Sequence, residues 1–314
     1  MNVSIFRKTV FVISVCLFGI LGCRGVDSDS DSNSGGELGD DLGELTLWIT
    51  DGPVDEADMV ELSITGVQVK PVGADSIDVL LDSPLIVDLL DLGDEDNPRE
   101  EIIDDHSFPV GDYEWIRLLL DEADVTIMID GLQYPLTIPP DEQDGLQFEF
   151  NLTVEDDTDL DLTIDLDLRK SLRSLGGNQY ELHPRLRIVN TEQTGTLNGT
   201  VAQSLVEDND DCNNGAFNDE GNAVYVFAGG DAVFQDIRDN AQDPIATTTV
   251  EKNFDNEYVF RVGFLPRGSY TAVFTCDGSI DDPETDNELI MLFSDHVNVS
   301  IQVGETTTID FEAD

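Results

Sequence analysis

Apolar and polar residues alternate with a period of two along most of the chain, and turn residues interrupt that alternation every few positions. Leu45, Leu47 and Ile49 alternate with Thr46 and Trp48 before Asp51-Gly52-Pro53 turns the chain, the pattern of a half-buried strand. Leu62, Ile64 and the run Val67-Gln68-Val69 follow, then strand candidates at Tyr113 to Leu120, Val125 to Ile129 and Leu132 to Ile138. The last contains Pro135, which cannot donate to a ladder, so an edge strand is expected there. The clearest alternation sets Leu160, Leu162, Ile164, Leu166 and Leu168 against Asp159, Asp161, Thr163, Asp165 and Asp167. One face is aliphatic and the other almost wholly acidic, which predicts a strand with one buried and one solvated side. Leu85 to Leu92 reads as a short helical turn. No long segment holds a 3.6-residue period.

A break falls near Asn190 to Gly195, and a second set of strands follows it. These are Leu197 to Val201, Ala223 to Phe227, Tyr258 to Phe264, Tyr270 to Cys276, Leu289 to Phe293, Val297 to Val303 and Thr306 to Phe311. Close spacing of so many short strands predicts a β-sandwich. The expected fold is therefore all-β, with two β-sandwich domains of immunoglobulin or transthyretin type at residues 44–190 and 194–314. A small echo links them: Pro109-Val110-Gly111-Asp112-Tyr113 and Pro266-Arg267-Gly268-Ser269-Tyr270 share Pro-x-Gly-x-Tyr, each leading into an apolar strand. The proline and glycine make a tight turn, and the tyrosine buries its ring with its hydroxyl near the rim.

The N-terminus has another character. Arg7 and Lys8 precede an apolar run from Thr9 to Ile20, then Leu21-Gly22-Cys23. The run is short for a membrane span, which needs ~20 apolar residues. Its order is that of a secretory signal, and a cysteine directly after the small residue makes it resemble a bacterial lipoprotein signal. That resemblance implies cleavage after residue 22, acylation of Cys23 and anchoring in a membrane. Arg24 occupies the position where an aspartate retains enteric lipoproteins in the inner membrane, so the outer membrane of a Gram-negative cell is expected. Residues 23–43 are rich in Asp, Ser and Gly, among them Asp27-Ser28-Asp29-Ser30-Asp31-Ser32, and read as a flexible, self-repelling tether.

Charge narrows the partners. The chain carries 67 acidic and 15 basic residues, a formal net charge of −52. Nucleic acid and anionic lipid surfaces repel such a protein, so attachment falls to the lipid on Cys23. Hydrophobic content of 40% with clear periodicity argues for folded domains despite the acidity. Much of the charge is accounted for by a solvated surface suited to salty water.

Of four cysteines, Cys16 lies in the signal and Cys23 is the lipidation site, leaving Cys212 and Cys276. An even pair in an exported chain predicts one disulfide, worth about 4 kcal/mol by loop entropy. Tyr270, Ala272, Phe274 and Cys276 fall on one apolar strand face, which puts Cys276 at the core edge. Calcium is the one cofactor candidate. The bridge would bring Asp208, Asp210 and Asp211 near Asp277, Asp281 and Asp282, because bridged Cα atoms lie ~5.5–6 Å apart. The alternative is two solvated acidic loops that splay apart. The face at Asp159, Asp161, Asp165 and Asp167 is a weaker metal candidate, since its side chains project in parallel.

Four motifs in order carry a family resemblance. They are Leu47-Trp48-Ile49-Thr50-Asp51-Gly52-Pro53-Val54-Asp55, Gly111-Asp112-Tyr113 through Ile116-Arg117-Leu118, Asp165-Leu166-Asp167-Leu168-Arg169-Lys170-Ser171, and Tyr180-Glu181-Leu182-His183-Pro184. Glu44 to Val189 thereby resembles domain of unknown function 4382 of bacterial lipoproteins, which implies location and fold type and brings no established activity. Gly199-Thr200-Val201 and Leu265-Pro266-Arg267-Gly268-Ser269-Tyr270 make the second domain similar to carboxypeptidase-regulatory or transthyretin-like sandwiches, modules that act as spacers, carriers or binding units.

Catalytic motifs are absent from the sequence. His106, His183 and His296 show no metal-ligand spacing, and no nucleophile elbow, Walker loop or dinucleotide fingerprint occurs. Carboxylate pairs are too numerous for their spacing to mean anything. The function expected is a lipid-anchored, non-catalytic binding or spacer module for a glycan or an envelope protein. A hydrolase acting on an extracellular polymer is the alternative. Exposed aromatics at one sandwich end, with Trp48 and Trp115 the only tryptophans, would favour glycan binding; buried acids of raised pKa in a cleft would favour the enzyme.

Overall fold

The computed structural model describes residues 41–54, 57–93, 98–139, 145–207, 221–238, 240–286, 291 and 293–312. The signal, Cys23, most of the tether, Asp208, Asp210, Asp211 and Cys212 lie outside these residues. Among the described residues twelve strands precede the break and eight follow it. The first set is β1 (Leu42–Gly52), β2 (Met59–Pro71), β3 (Ile77–Asp88), β4 (Glu100–Pro109), β5 (Gly111–Leu120), β6 (Thr126–Ile129), β7 (Leu132–Thr137), β8 (Leu146–Val154), β9 (Asp159–Asp167), β10 (Leu172–Ser174), β11 (Tyr180–Leu182) and β12 (Leu186–Asn190). One helical turn, α1 (Leu168–Ser171), separates β9 from β10. The second set is β13 (Thr194–Val201), β14 (Ala223–Ala228), β15 (Ala246–Thr249), β16 (Glu251–Lys252), β17 (Tyr258–Pro266), β18 (Gly268–Thr275), β19 (Val297–Ile301) and β20 (Thr306–Phe311). The fold is all-β, as expected.

No described sheet mixes the two sets. In the first, β12-β9-β1-β4 faces a larger sheet in which β3, β2, β5 and β8 are neighbours and β6, β7, β11 and β10 extend one end. In the second, β16-β17-β13-β20 faces β15-β14-β18-β19. The two architectures share a seven-strand plan. β9-β1-β4 corresponds to β20-β13-β17, with the first pair parallel and the second antiparallel in both. β3-β2-β5-β8 corresponds to β15-β14-β18-β19, antiparallel throughout. In each half the inward residues of both sheets form one core. Leu45, Leu47 and Ile49 meet Leu62, Ile64 and Ile116 in the first, and Leu197, Phe260 and Phe311 meet Val226, Ala272 and Phe274 in the second. Cys276 joins that second core with Tyr270, Ala272 and Phe274.

The Pro-x-Gly-x-Tyr echo falls at equivalent points of this plan. Both copies sit where the chain leaves one sheet (β4, β17) and enters the opposite one (β5, β18). Such a crossing strands the last carbonyl of the outgoing strand. The Tyr113 hydroxyl donates to the Pro109 carbonyl at 2.7 Å, and the Tyr270 hydroxyl donates to the Pro266 carbonyl at 2.6 Å. Both rings are buried, and burial pushes the Tyr113 phenol up to about 12. A hydroxyl reaching back to backbone four residues upstream is the logic of the tyrosine corner in other sandwiches.

Three sequence expectations need correction. β9 is not half-solvated: from Leu162 onward both of its faces are buried, including Asp165 and Asp167. β7 is not an edge, since β6 flanks it on one side and β11 on the other. Its proline is tolerated because the β11 ladder begins only at Leu136. Leu85 to Asp88 belongs to β3, and only Leu89–Asp91 forms a helical turn. Strands β3, β4, β8, β10, β11, β12, β15 and β16 have no counterpart among the expected strands. Of the strand expected at Leu289 to Phe293, positions 289, 290 and 292 lie outside the described residues, and Phe293 forms an isolated bridge with Thr275.

If the tyrosine hydroxyls serve the crossings, Tyr113→Phe and Tyr270→Phe each lower unfolding free energy by about 1 kcal/mol, because each leaves a carbonyl without its donor. Equilibrium denaturation measures this. Unchanged stability in both variants would remove the role assigned to the motif.

Candidate functional site

The acidic face of β9 ends in a junction between the two halves, and almost every polar side chain of residues 165–170 takes part in it. Asp167 caps α1: its Oδ1 accepts from the Lys170 N–H at 3.2 Å, the usual N-cap geometry. The same carboxylate crosses to the second half, accepting from the Thr247 N–H at 3.1 Å and the Thr247 hydroxyl at 2.9 Å. Lys170 Nζ lies 3.2 Å from Asp167 and donates to the carbonyls of Pro244 (3.0 Å) and Ile245 (3.5 Å). Arg169 Nη1 donates to the Gly278 carbonyl at 3.0 Å. A Cβ at Gly278 would stand 2.9 Å from that same nitrogen, so the bare glycine leaves Arg169 its room.

Asp165 is met by Arg187 of β12, which also donates from Nη1 to the Phe264 carbonyl (3.0 Å) and from Nη2 to the Gly263 carbonyl (3.4 Å). Those carbonyls are presented by an irregularity. The β13–β17 register shifts between Gly195 and Leu197, and Phe264 adopts a left-handed backbone at φ 52°. A bulge of this kind re-aims backbone groups out of the ladder. Arg261 closes the seam from the other side, donating to the Gly93 carbonyl at 2.8 Å. At the rim, Arg99 pairs with Asp161 at 2.9 Å and stacks over Trp48, 4.0 Å from the ring centroid.

Asp51, at the end of β1, has a different environment. It is buried, its Oδ1 accepts from the Leu168 N–H at 3.3 Å, and its Oδ2 has no partner among the described residues. Burial, then the neighbouring charges of Asp165 and Asp167, raise its carboxyl well above the ordinary range. Both causes disfavour the ionised form.

A cleft of about 570 Å³ opens along the seam. Its floor is the outward face of β13, β17 and β20, with Asn198, Thr200, Val259, Arg261 and Thr308. Its roof is the end of β1 and the turn at Leu90 to Gly93.

The calcium candidates separate into two groups. Asp208, Asp210 and Asp211 are outside the described residues. Of the others, Asp281 has both oxygens occupied by the Tyr225 hydroxyl (2.7 Å) and the Ile237 N–H (3.1 and 3.2 Å). Asp282 turns back on the Glu284 N–H at 2.9 Å, and Asp277 is buried where the short Gly278–Ile280 turn begins. Among the described residues no cluster of three or more His, Cys, Asp or Glu is arranged to hold a metal. Cys276 is buried and disulfide-bonded; its expected partner Cys212 is outside the described residues. The tryptophans form no common platform. Trp48 and Trp115 belong to different sheets, and each lies under an arginine, Arg99 and Arg117. His183 bonds Glu181 at a partly exposed position, and His296 bonds Asp231 at an exposed one.

Fold and seam together define an all-β protein of two β-sandwiches joined through buried, paired charge. Residues 42–184 match the family model described as Domain of unknown function (DUF4382), so the first half carries that domain, and most of the polar seam on its side lies within the matched residues. A search of the curated proteins finds no match. Among solved structures the chain is similar to the TIE protein of Bacillus anthracis, at TM-score 0.20 and 10% identity over 86% of this chain and 34% of that one. It thus spans about a third of that protein's length. It is also similar to the minor pilin of Streptococcus agalactiae (TM-score 0.19, 10% identity, 85% and 94% covered) and the major pilin subunit of Bacillus cereus (0.20, 11%, 86% and 99%). TM-scores this low assign neither topology nor role.

The raised carboxyls give a pH dependence with a definite sign. Burial first of all raises Asp281 to about 6. Between the ordinary carboxylate value and that one, the folded chain holds a proton that the unfolded chain releases, so stability falls as pH rises through the window. On acidification from about pH 7 to about pH 5 the melting temperature should rise, and Asp281→Asn should reduce the rise. Relief of general acidic self-repulsion is common to both proteins. Identical slopes would show that Asp281 ionises without cost.

Proposed function

We propose that this chain is an exported, lipid-anchored, non-catalytic module that holds two β-sandwiches as one rigid body and offers them to a glycan or envelope protein. The observation that carries the reading is the seam. Asp165, Asp167, Arg169, Lys170 and Arg187, the side chains with most chemical potential, are occupied in fixing the second half against the first. Charges buried in this way are costly unless paired, so the pairs hold one arrangement and penalise others. The acidic Ser/Gly tether and an acylated Cys23 would set that body away from an outer membrane, and the net charge of −52 argues against nucleic acid as a partner.

The hydrolase reading has one observation in its favour, the raised carboxyl of Asp51 at the cleft. A general acid must reach the atom it protonates. Asp51 Oδ2 is enclosed by protein, and the two carboxylates beside it are tied to Arg187 and Lys170. That arrangement suits a structural acid better than a catalytic one.

Two measurements test the proposal. Cys23→Ser should move the protein from membrane to soluble fractions. Limited proteolysis should leave the wild-type link at Thr191 to Gln193 intact, and cut it in a Lys170→Ala, Thr247→Val double variant whose halves stay folded. Ready cleavage of the wild type, or membrane retention of Cys23→Ser, would contradict it. So would polymer hydrolysis by the purified chain that is lost in Asp51→Asn.

A further inference from the structure

Resting on the binding-module reading above, we propose that the seam cleft is a saccharide site selective for sugars without acidic groups. The cleft is preformed, because its floor belongs to the second half, its roof to the first, and the seam fixes their separation. Its volume of about 570 Å³ accommodates one to a few sugar rings. Strand alternation turns the even side of the β13 floor outward as Asn198 and Thr200, while Leu197, Gly199 and Val201 face the sandwich core or its backbone.

The floor is ordered before any ligand arrives. The Thr308 hydroxyl donates to Asn198 Oδ1 at 2.8 Å, and the Thr200 hydroxyl donates to Asp310 at 2.7 Å. These bonds use the Asn198 acceptor and leave its amide N–H groups, with lone pairs on both threonine oxygens, for a ligand. Donors and acceptors side by side on a flat strand surface match the vicinal hydroxyls of a sugar. Leu90, Leu92 and Phe264 give apolar surface for the C–H faces of the ring.

Charge decides the class. Of the lining carboxyls, Asp165 and Asp167 are already paired with Arg187 and Lys170 and Asp51 is buried, which leaves exposed Glu251 to face a ligand. Arg261, the one cation among the described lining residues, already donates to Gly93. An anionic sugar would bring its charge beside Glu251 with no cation among the described lining residues left to receive it, so uronic, sulfated and phosphorylated glycans are disfavoured.

The test uses the mature full chain in calorimetry and saturation-transfer NMR. The probes are maltotetraose, cellotetraose and N-acetylchitotetraose, with oligogalacturonate as the acidic comparison. At least one neutral sugar should bind at millimolar concentration or below and oligogalacturonate should not. Asn198→Ala should weaken binding about tenfold, the loss of one or two good hydrogen bonds. Val259→Trp, which fills the floor, should abolish it, and Asn198→Ala stands alone should that variant not fold. Binding by none of the neutral probes overturns the proposal. Equal binding of oligogalacturonate, or neutral binding indifferent to Asn198→Ala, also overturns it. None of these outcomes alters the proteolysis of the seam, so failure here is distinguishable from failure of the rigid-module reading.

Discussion

Two carboxylates, Asp165 and Asp167, have to be removed from water for the halves of this molecule to meet. An ionised carboxylate in a dry interface is costly unless cations and hydrogen-bond donors surround it. Arg187 supplies the cation for Asp165, and Lys170 does so for Asp167, with the Thr247 N–H and hydroxyl completing the set. Because the donors come from both halves, only one relative placement satisfies all of them. The bulge at Phe264, the close approach of Arg169 to Gly278 and the cleft itself are consequences of that placement. Asp51 is the remainder: buried beside Asp165 and Asp167, its carboxyl is shifted toward the neutral form.

One seven-strand plan is repeated in the two halves. Each places its first strand between a parallel and an antiparallel neighbour, and each changes sheets through Pro-x-Gly-x-Tyr. What differs is the decoration. The first half adds β6, β7, β10, β11 and β12, and from this added region come α1 and Arg187, half of the seam. The second half covers the outer face of β14 and β18 with a small core of its own around Tyr225, Phe227 and Met291, and Asp281 ties the loops of that cover together.

Much of this architecture is legible in the residues, and the failures have physical causes. β9 announces itself through perfect alternation, and the all-β class follows from turn spacing. Alternation reports which residues share a face, and it is silent on whether a distant segment covers the polar one. The cover over Asp167 comes from Thr247, eighty positions along the chain. β3 and β4 escape notice because their apolar residues occur in pairs, Leu80-Leu81 and Ile102-Ile103, and β15 because it is three threonines after an alanine. The motif at 165–171 could be read as chemically interesting, yet nothing local tells a clamp from a catalytic group. Only the partners of Asp167, Arg169 and Lys170 decide that.

The most direct test is a double-mutant cycle across the seam, with Asp167→Asn and Thr247→Val measured singly and together by equilibrium unfolding of the mature chain. A buried carboxylate with two donors from one residue should show coupling of about 1–3 kcal/mol. If the two substitutions add to within about 0.5 kcal/mol, the contact does not hold the halves together, and the seam loses its place as the organising interaction.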